Sequence, residues 1–137
     1  MENSGFQFKG FLIKKSLISI NSTDSTEGLD LSIKFNPTGL LDKKNSTFKL
    51  LLEIIISEKN DELNIEVSSE GTFSYNDLSD EKLNSFLYLN APAILFPYLR
   101  AYITSLTALS GVSPIVLPTL NLSGLKNDLE KNVKTLE

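Results

Sequence analysis

Leu29, Leu31, Ile33 and Phe35 alternate with Asp30, Ser32 and Lys34, the period of a strand with one face buried. The same period returns at Phe48, Leu50, Leu52, Ile54 and Ile56 and again at Leu63, Ile65 and Val67. Asn60-Asp61 suits the two-residue turn between those last two strands, since both residue types tolerate positive φ. That turn fixes a register. Ile56 should face Ile65 and Ile54 should face Val67 on the core side, with Glu53 near Glu66 on the other, beside Leu51 and Ile55. Upstream, residues 6–20 read as a long first strand with Phe6 and Phe8 on one face and Gly10 at a bulge or bend. Residues 21–28 form a turn-rich polar loop. Asn36-Pro37-Thr38-Gly39 is expected to stop the second strand, and residues 40–46 to form a crossover loop whose Leu40 and Leu41 either cap the local core or line a groove. Gly71 should bend the fourth strand before Phe73 and Tyr75.

Beyond Tyr75 the period lengthens from two toward 3.6. Ser79 can cap a short helix containing Lys82, Leu83, Phe86 and Leu87. A long helix follows, with Asn90 as its N-cap, Pro92 in its first turn, a kink at Pro97 and Gly111 as the left-handed residue that ends it. On a helical wheel Leu95, Tyr98, Leu99, Tyr102, Leu106 and Leu109 share a stripe, while Ala101, Thr104, Thr107 and Ala108 lie behind. Surface helices usually carry Lys and Glu there. A small, neutral back suits a second packing surface, so another copy of the chain is inferred to cover it; the alternative is a back that faces water.

Between Lys82 and Lys126 the only charged side chain is Arg100, which is expected to meet a carboxylate or helix-end carbonyls. Pro92, Pro97, Gly111, Pro114 and Pro118 interrupt this apolar segment too often for a membrane span. The connection over residues 112–120 should lie over the surface as a lid, with Ile115 or Leu117 dipping inward. Leu122, Leu125, Leu129, Val133 and Leu136 mark a final amphipathic helix. The order implies an α+β class: a four-stranded antiparallel sheet followed by a long helix and a C-terminal helix packed on one face, in a single domain over residues 1–137.

Composition narrows the chemistry. The 137 residues include neither Cys nor His, so disulfides, thiolate metal sites and the commonest general base are missing; no metal or cofactor is expected. Glu53 and Glu66 would need a cleft that separates their pKa values to act as acid and base, and Ser105 and Ser110 lack a histidine partner. The chain reads as non-enzymatic. A net charge of −4 argues against nucleic acid as a partner. The N-terminal stretch lacks the pattern of a secretory signal, so the cytoplasm is the expected location.

The run Ile94-Leu95-Phe96-Pro97-Tyr98-Leu99-Arg100, then Ile103-Thr104-Ser105-Leu106, Pro114, Leu117-Pro118 and Asn121-Leu122, resembles the signature of SecB, the bacterial protein-export chaperone family. The resemblance implies a dimer of dimers, joined through the helix containing Pro97 and through the sheets. It also implies that unfolded precursor or client polypeptides bind in apolar grooves and stay competent for Sec translocation. Groove positions would be Phe35, Leu40, Leu41, Val112, Ile115, Leu117 and Leu125. Acidic residues on the outer sheet face contact the SecA motor in that family, and Glu53 and Glu66 would stand there. The sequence departs from the pattern in its first strand, with Lys14, Lys15, Ser16 and Ser19 in place of acidic residues, and at Asn64, a usually apolar position. A SecB-like chaperone dedicated to one client, such as the antitoxin of a toxin–antitoxin pair, is the alternative. A third is a structural oligomer without client binding.

Overall fold

Alternating apolar residues make one side of a sheet in the computed structural model of the chain, which describes residues 5–21, 30–119 and 122–136. Strands β1 (Phe6–Ile20), β2 (Leu31–Asp42), β3 (Thr47–Glu58) and β4 (Leu63–Tyr75) pair antiparallel. A fifth strand, β5 (Val133–Leu136), adds in parallel to β2 and gives the order β1-β4-β3-β2-β5. The β3–β4 register is the predicted one, with Ile54 opposite Val67 and Ile56 opposite Ile65, and Asp61 turning at φ 62°. Beneath lies the core, where Phe48, Leu50, Leu52, Ile54, Ile65 and Phe73 are wholly buried. The polar loop expected over residues 21–28, Asn21 excepted, and Leu29 lie outside the described residues.

Several boundaries differ from expectation. β2 does not stop at Pro37 but runs on through Leu40 and Leu41, leaving residues 43–46 as the turn. The reason is geometric: Gly39 N–H points away from β3 and reaches Asn132 O at 3.2 Å, so the nitrogen of Pro37, two residues earlier, faces the same outer edge. A proline there costs no hydrogen bond within the sheet. At the turn, the Asp42 carboxylate accepts hydrogen bonds from the Asn45 side chain and backbone, which hold its pKa below the usual value.

β4 likewise runs straight through Gly71. A Cβ at Gly71 would come within 3.2 Å of Leu95 Cδ1, so the glycine marks a close approach of helix to sheet rather than a bend. β1 carries the bulge expected near Gly10 and a second between Ile13 and Lys15.

On the core side, Ser79 Oγ accepts from Lys82 N–H at 3.2 Å to start α1 (Asp80–Ser85). A π turn (Phe86–Asn90) leads directly into α2 (Ala91–Leu109), so Asn90 is helical and caps nothing. The Pro92 ring would crowd the carbonyl of Tyr88 in an α-helix, and the wider turn, closed by Ala91 N–H on Phe86 O, relieves that. The buried line of α2 is Leu95, Phe96, Leu99, Ile103 and Thr107, rotated from the predicted stripe; Tyr98 is 47% exposed and Leu109 88%. Apolar residues flank that line on both sides, so the wheel alone leaves its centre free. Contacts with β1 settle it: Tyr98 packs on Phe8 and Phe11 at 5.4 and 5.3 Å, and Tyr102 hydroxyl donates to Ser16 Oγ at 2.8 Å.

α3 (Leu122–Lys131) is shorter than the predicted helix. Asn132 ends it, its side chain donating to Asp128 O at 2.8 Å, and Val133 to Leu136 become β5 instead. The edge of β2 supplies partners there that a helix end would lack.

Candidate functional site

Because side chains alternate along β2, Ile33 and Phe35 project toward the helices close to the strand's outer edge. Leu125 of α3 and Pro118 and Thr119 of the connecting loop stand across from them, with Lys34, Gly124 and Asp128 at the margins. Together they enclose a surface cleft of about 420 Å³. Phe96 braces Phe35 edge-on, with ring centroids 5.8 Å apart.

Two threonines of α2 hold the loop beside this cleft. Thr104 hydroxyl donates to Ile115 O at 2.8 Å, and Thr107 Oγ1 accepts from Ile115 N–H at 2.9 Å while donating back to Ile103 O. Gly111, at φ +90°, turns the chain out of the helix. Both Ile115 and Leu117 then dip into the core. Thr107→Val keeps the shape but leaves a buried N–H without its acceptor, so a loss of about 1–3 kcal/mol is expected in urea denaturation. A change below about 0.5 kcal/mol would mean that Ile115 and Leu117 hold the loop unaided.

The predicted groove residues are only partly brought together. Phe35 and Leu125 share the cleft. Ile115 and Leu117 lie beneath the loop in the core, and Val112 is half-buried. Leu40 and Leu41 separate, because neighbours on a strand face opposite ways: Leu41 is in the core, while Leu40 lines a second cleft of about 410 Å³ with Leu51 and Lys131 to Lys134. Ile33 and Pro118 escaped the sequence reading. Ile33 was legible there as a core-facing neighbour of Phe35, but its place at an edge was not.

The proposed subunit surface also changes. Thr107 is buried in its own chain and Thr104 is half-buried and bonded, so neither presents itself to a partner. Ala101 and Ala108 remain exposed. Arg100 is exposed as well, so the pairing demanded of a buried guanidinium is not required of it.

On the outer sheet face Glu53 and Glu66 are diagonal neighbours, opposite Ser68 and Ile55. Each has a partner: Asn36 donates to Glu53 at 2.9 Å, and Lys15 reaches Glu66 at 2.8 Å. That hydrogen bond, with the attraction of the charge, raises the Lys15 pKa. Glu70 sits between Lys14 and Lys49 at 3.5 and 3.6 Å. The face is therefore charge-balanced rather than acidic, with Leu12 and Leu17 exposed among the charges.

Among the described residues, no cluster of carboxylates has the makings of a metal site, and no helix is long and apolar enough to cross a membrane. The model of the family described as preprotein translocase subunit SecB matches residues 16–131. The chain is 27% identical over 132 residues to an uncharacterized protein of Methanocaldococcus jannaschii, covering 91% of this chain and 84% of that one. It is 29% identical over 108 residues to the protein-export protein SecB of Rickettsia typhi, covering 78% and 71%. Its fold is similar to that of the Mycobacterium tuberculosis SecB-like chaperone in complex with a ChAD peptide from the HigA1 antitoxin, with a TM-score of 0.68 at 18% identity over 85% of this chain and 88% of that one.

Proposed function

The chain belongs to the SecB family, and on that premise we propose that it is a chaperone that holds extended segments of non-native polypeptide and keeps them competent for Sec export. The cleft lined by Ile33, Phe35, Pro118 and Leu125 carries this reading. Its walls are apolar and it lies open along a strand. Burying a client's apolar side chains there at about 25 cal/mol per Å² favours binding without selecting a sequence. The absence of Cys and His agrees with a binding protein rather than an enzyme.

A second reading is service to one dedicated client, as in the antitoxin peptide complex of the M. tuberculosis neighbour. The Lys15–Glu66 and Lys14–Glu70–Lys49 ion pairs favour it, because they neutralise the face on which SecA would seek carboxylates. Assembly as a dimer of dimers is part of the proposal, with Ala101 and Ala108 on a helix-mediated contact.

Light scattering of an aggregating denatured protein tests the main reading. Stoichiometric amounts of this chain, sedimenting as four copies, should suppress aggregation. No suppression rejects chaperoning, and monomers alone reject the assembly. Binding of SecA separates general export from the dedicated role.

A further inference from the structure

The connection over residues 112–119 carries no strand or helix, yet its side chains alternate: Ile115 and Leu117 are buried, while Pro114, Val116 and Pro118 are exposed. In a sheet the neighbouring ladder and one buried face fix such an alternation, and this segment has no ladder. Hydrophobicity does not fix it either. Moved by one residue, so that Pro114 took the place of Ile115, the segment would bury Pro114 and Val116 and expose Ile115 and Leu117, exchanging one apolar pair for another only slightly smaller.

Thr104 and Thr107 separate the two arrangements. Ile115 gives its N–H to Thr107 Oγ1 at 2.9 Å and takes the Thr104 hydroxyl on its carbonyl oxygen at 2.8 Å, so both backbone groups of one residue are bonded to side chains one turn apart on α2. The Thr107 proton lies between Ile103 O at 2.9 Å and Thr104 O at 3.1 Å, which leaves the oxygen toward Ile115 as an acceptor. Pro114 in that place would bring no N–H, and the wholly buried Thr107 oxygen would go unmet.

Further along the loop, Pro118 and Thr119 stand in the wall of the apolar cleft across from Phe35. A one-residue slip moves an extended segment by about 3.3 Å, which carries Pro118 off that wall. Resting on the chaperone reading, we infer that Thr104 and Thr107 are positioning residues: they set the register of the loop at Ile115 and thereby hold Pro118 where a client's apolar side chain meets it. Neither touches the client; their hydroxyls act through the loop backbone.

Because the chain has no native cysteine, a maleimide can read the register at single introduced thiols with no client present. Val116→Cys, at a side chain 63% exposed, should label fast, and Leu117→Cys, at a wholly buried one, slowly. With Thr104→Val and Thr107→Val added, the order should reverse, Leu117→Cys labelling at least about tenfold faster and Val116→Cys about threefold slower. If Leu117→Cys speeds up while Val116→Cys is unchanged, the loop has loosened without changing register and the inference falls. Thr107→Ser keeps the hydroxyl and should label like the parent. Phe6→Leu weakens the core beside Phe86, at the other end of α2, and serves as the control for lost stability; a reversal there also overturns the inference. Circular dichroism checks that each variant folds, and if the double variant does not, Thr107→Val alone carries the test. Affinity for reduced, alkylated α-lactalbumin should fall about fivefold in the double variant and hold in Thr107→Ser. Reversed labelling with unchanged affinity overturns the link to the client. A parent chain that neither binds this client nor suppresses aggregation removes the chaperone reading, and the labelling still decides the register.

Discussion

Phe73→Ala is expected to lower the stability of this fold by about 3–5 kcal/mol, the range for emptying an aromatic site in a packed core. Phe73 is wholly buried and meets three other rings, Phe6 at 5.1 Å, Phe8 at 5.3 Å and Phe48 at 6.3 Å. Phe6 in turn stacks on Phe86 at 4.8 Å, so one residue ties β1, β3, β4 and the π turn together. The walls of the vacated space belong to three strands that cannot close on it without breaking their ladders. Urea denaturation reads the loss directly, and the melting temperature should fall by roughly 10–20 °C. A loss under about 1 kcal/mol would show that the rings are neighbours of convenience rather than the join between strands and helices.

Phe35→Glu should reduce affinity for a non-native polypeptide at least about tenfold, equivalent to about 1.4 kcal/mol. Phe35 is half-buried on the cleft wall, edge-on to Phe96, where a carboxylate would add a desolvation cost to every apolar side chain brought against it. Phe35→Ala separates shape from charge and should lose less. Val116→Glu, at a side chain 63% exposed, should leave binding intact. Affinity for reduced, alkylated α-lactalbumin, checked against circular dichroism for folding, decides the matter. If Phe35→Glu binds as tightly as the parent, the cleft is not where clients sit.

Where the chain meets itself locally, the sequence was a good guide. The β3–β4 register follows from Asn60-Asp61 and the apolar alternation on either side, because a tight turn there leaves one pairing that puts Ile54, Ile56, Ile65 and Val67 together on the core side. Ser79 and Gly111 punctuated the helices as expected, since caps and left-handed turns depend on single residues. The family signature from Ile94 to Leu122 was legible for the same reason: it is a contiguous run.

The cleft was harder to read because its walls are distant in the chain. Phe35 and Leu125 could be named, but Leu40 and Leu41 were placed together although a strand sends them to opposite faces. Thr107 was assigned to a partner because a threonine on a wheel looks small and neutral, and nothing in its own segment shows that Ile115 N–H will need its hydroxyl.

By itself the sequence determined which residues alternate, where strands give way to helices, and that no Cys or His chemistry is at hand; these rest on local dihedral preferences and on side-chain chemistry carried residue by residue. Only the tertiary structure decided that Pro37 lies within a strand, that the last residues leave a helix to join β2, and that lysines of β1 and β3 balance Glu66 and Glu70. Each of those outcomes turns on which backbone groups and charges a neighbouring element presents, and that partner is chosen by the packing of the whole chain.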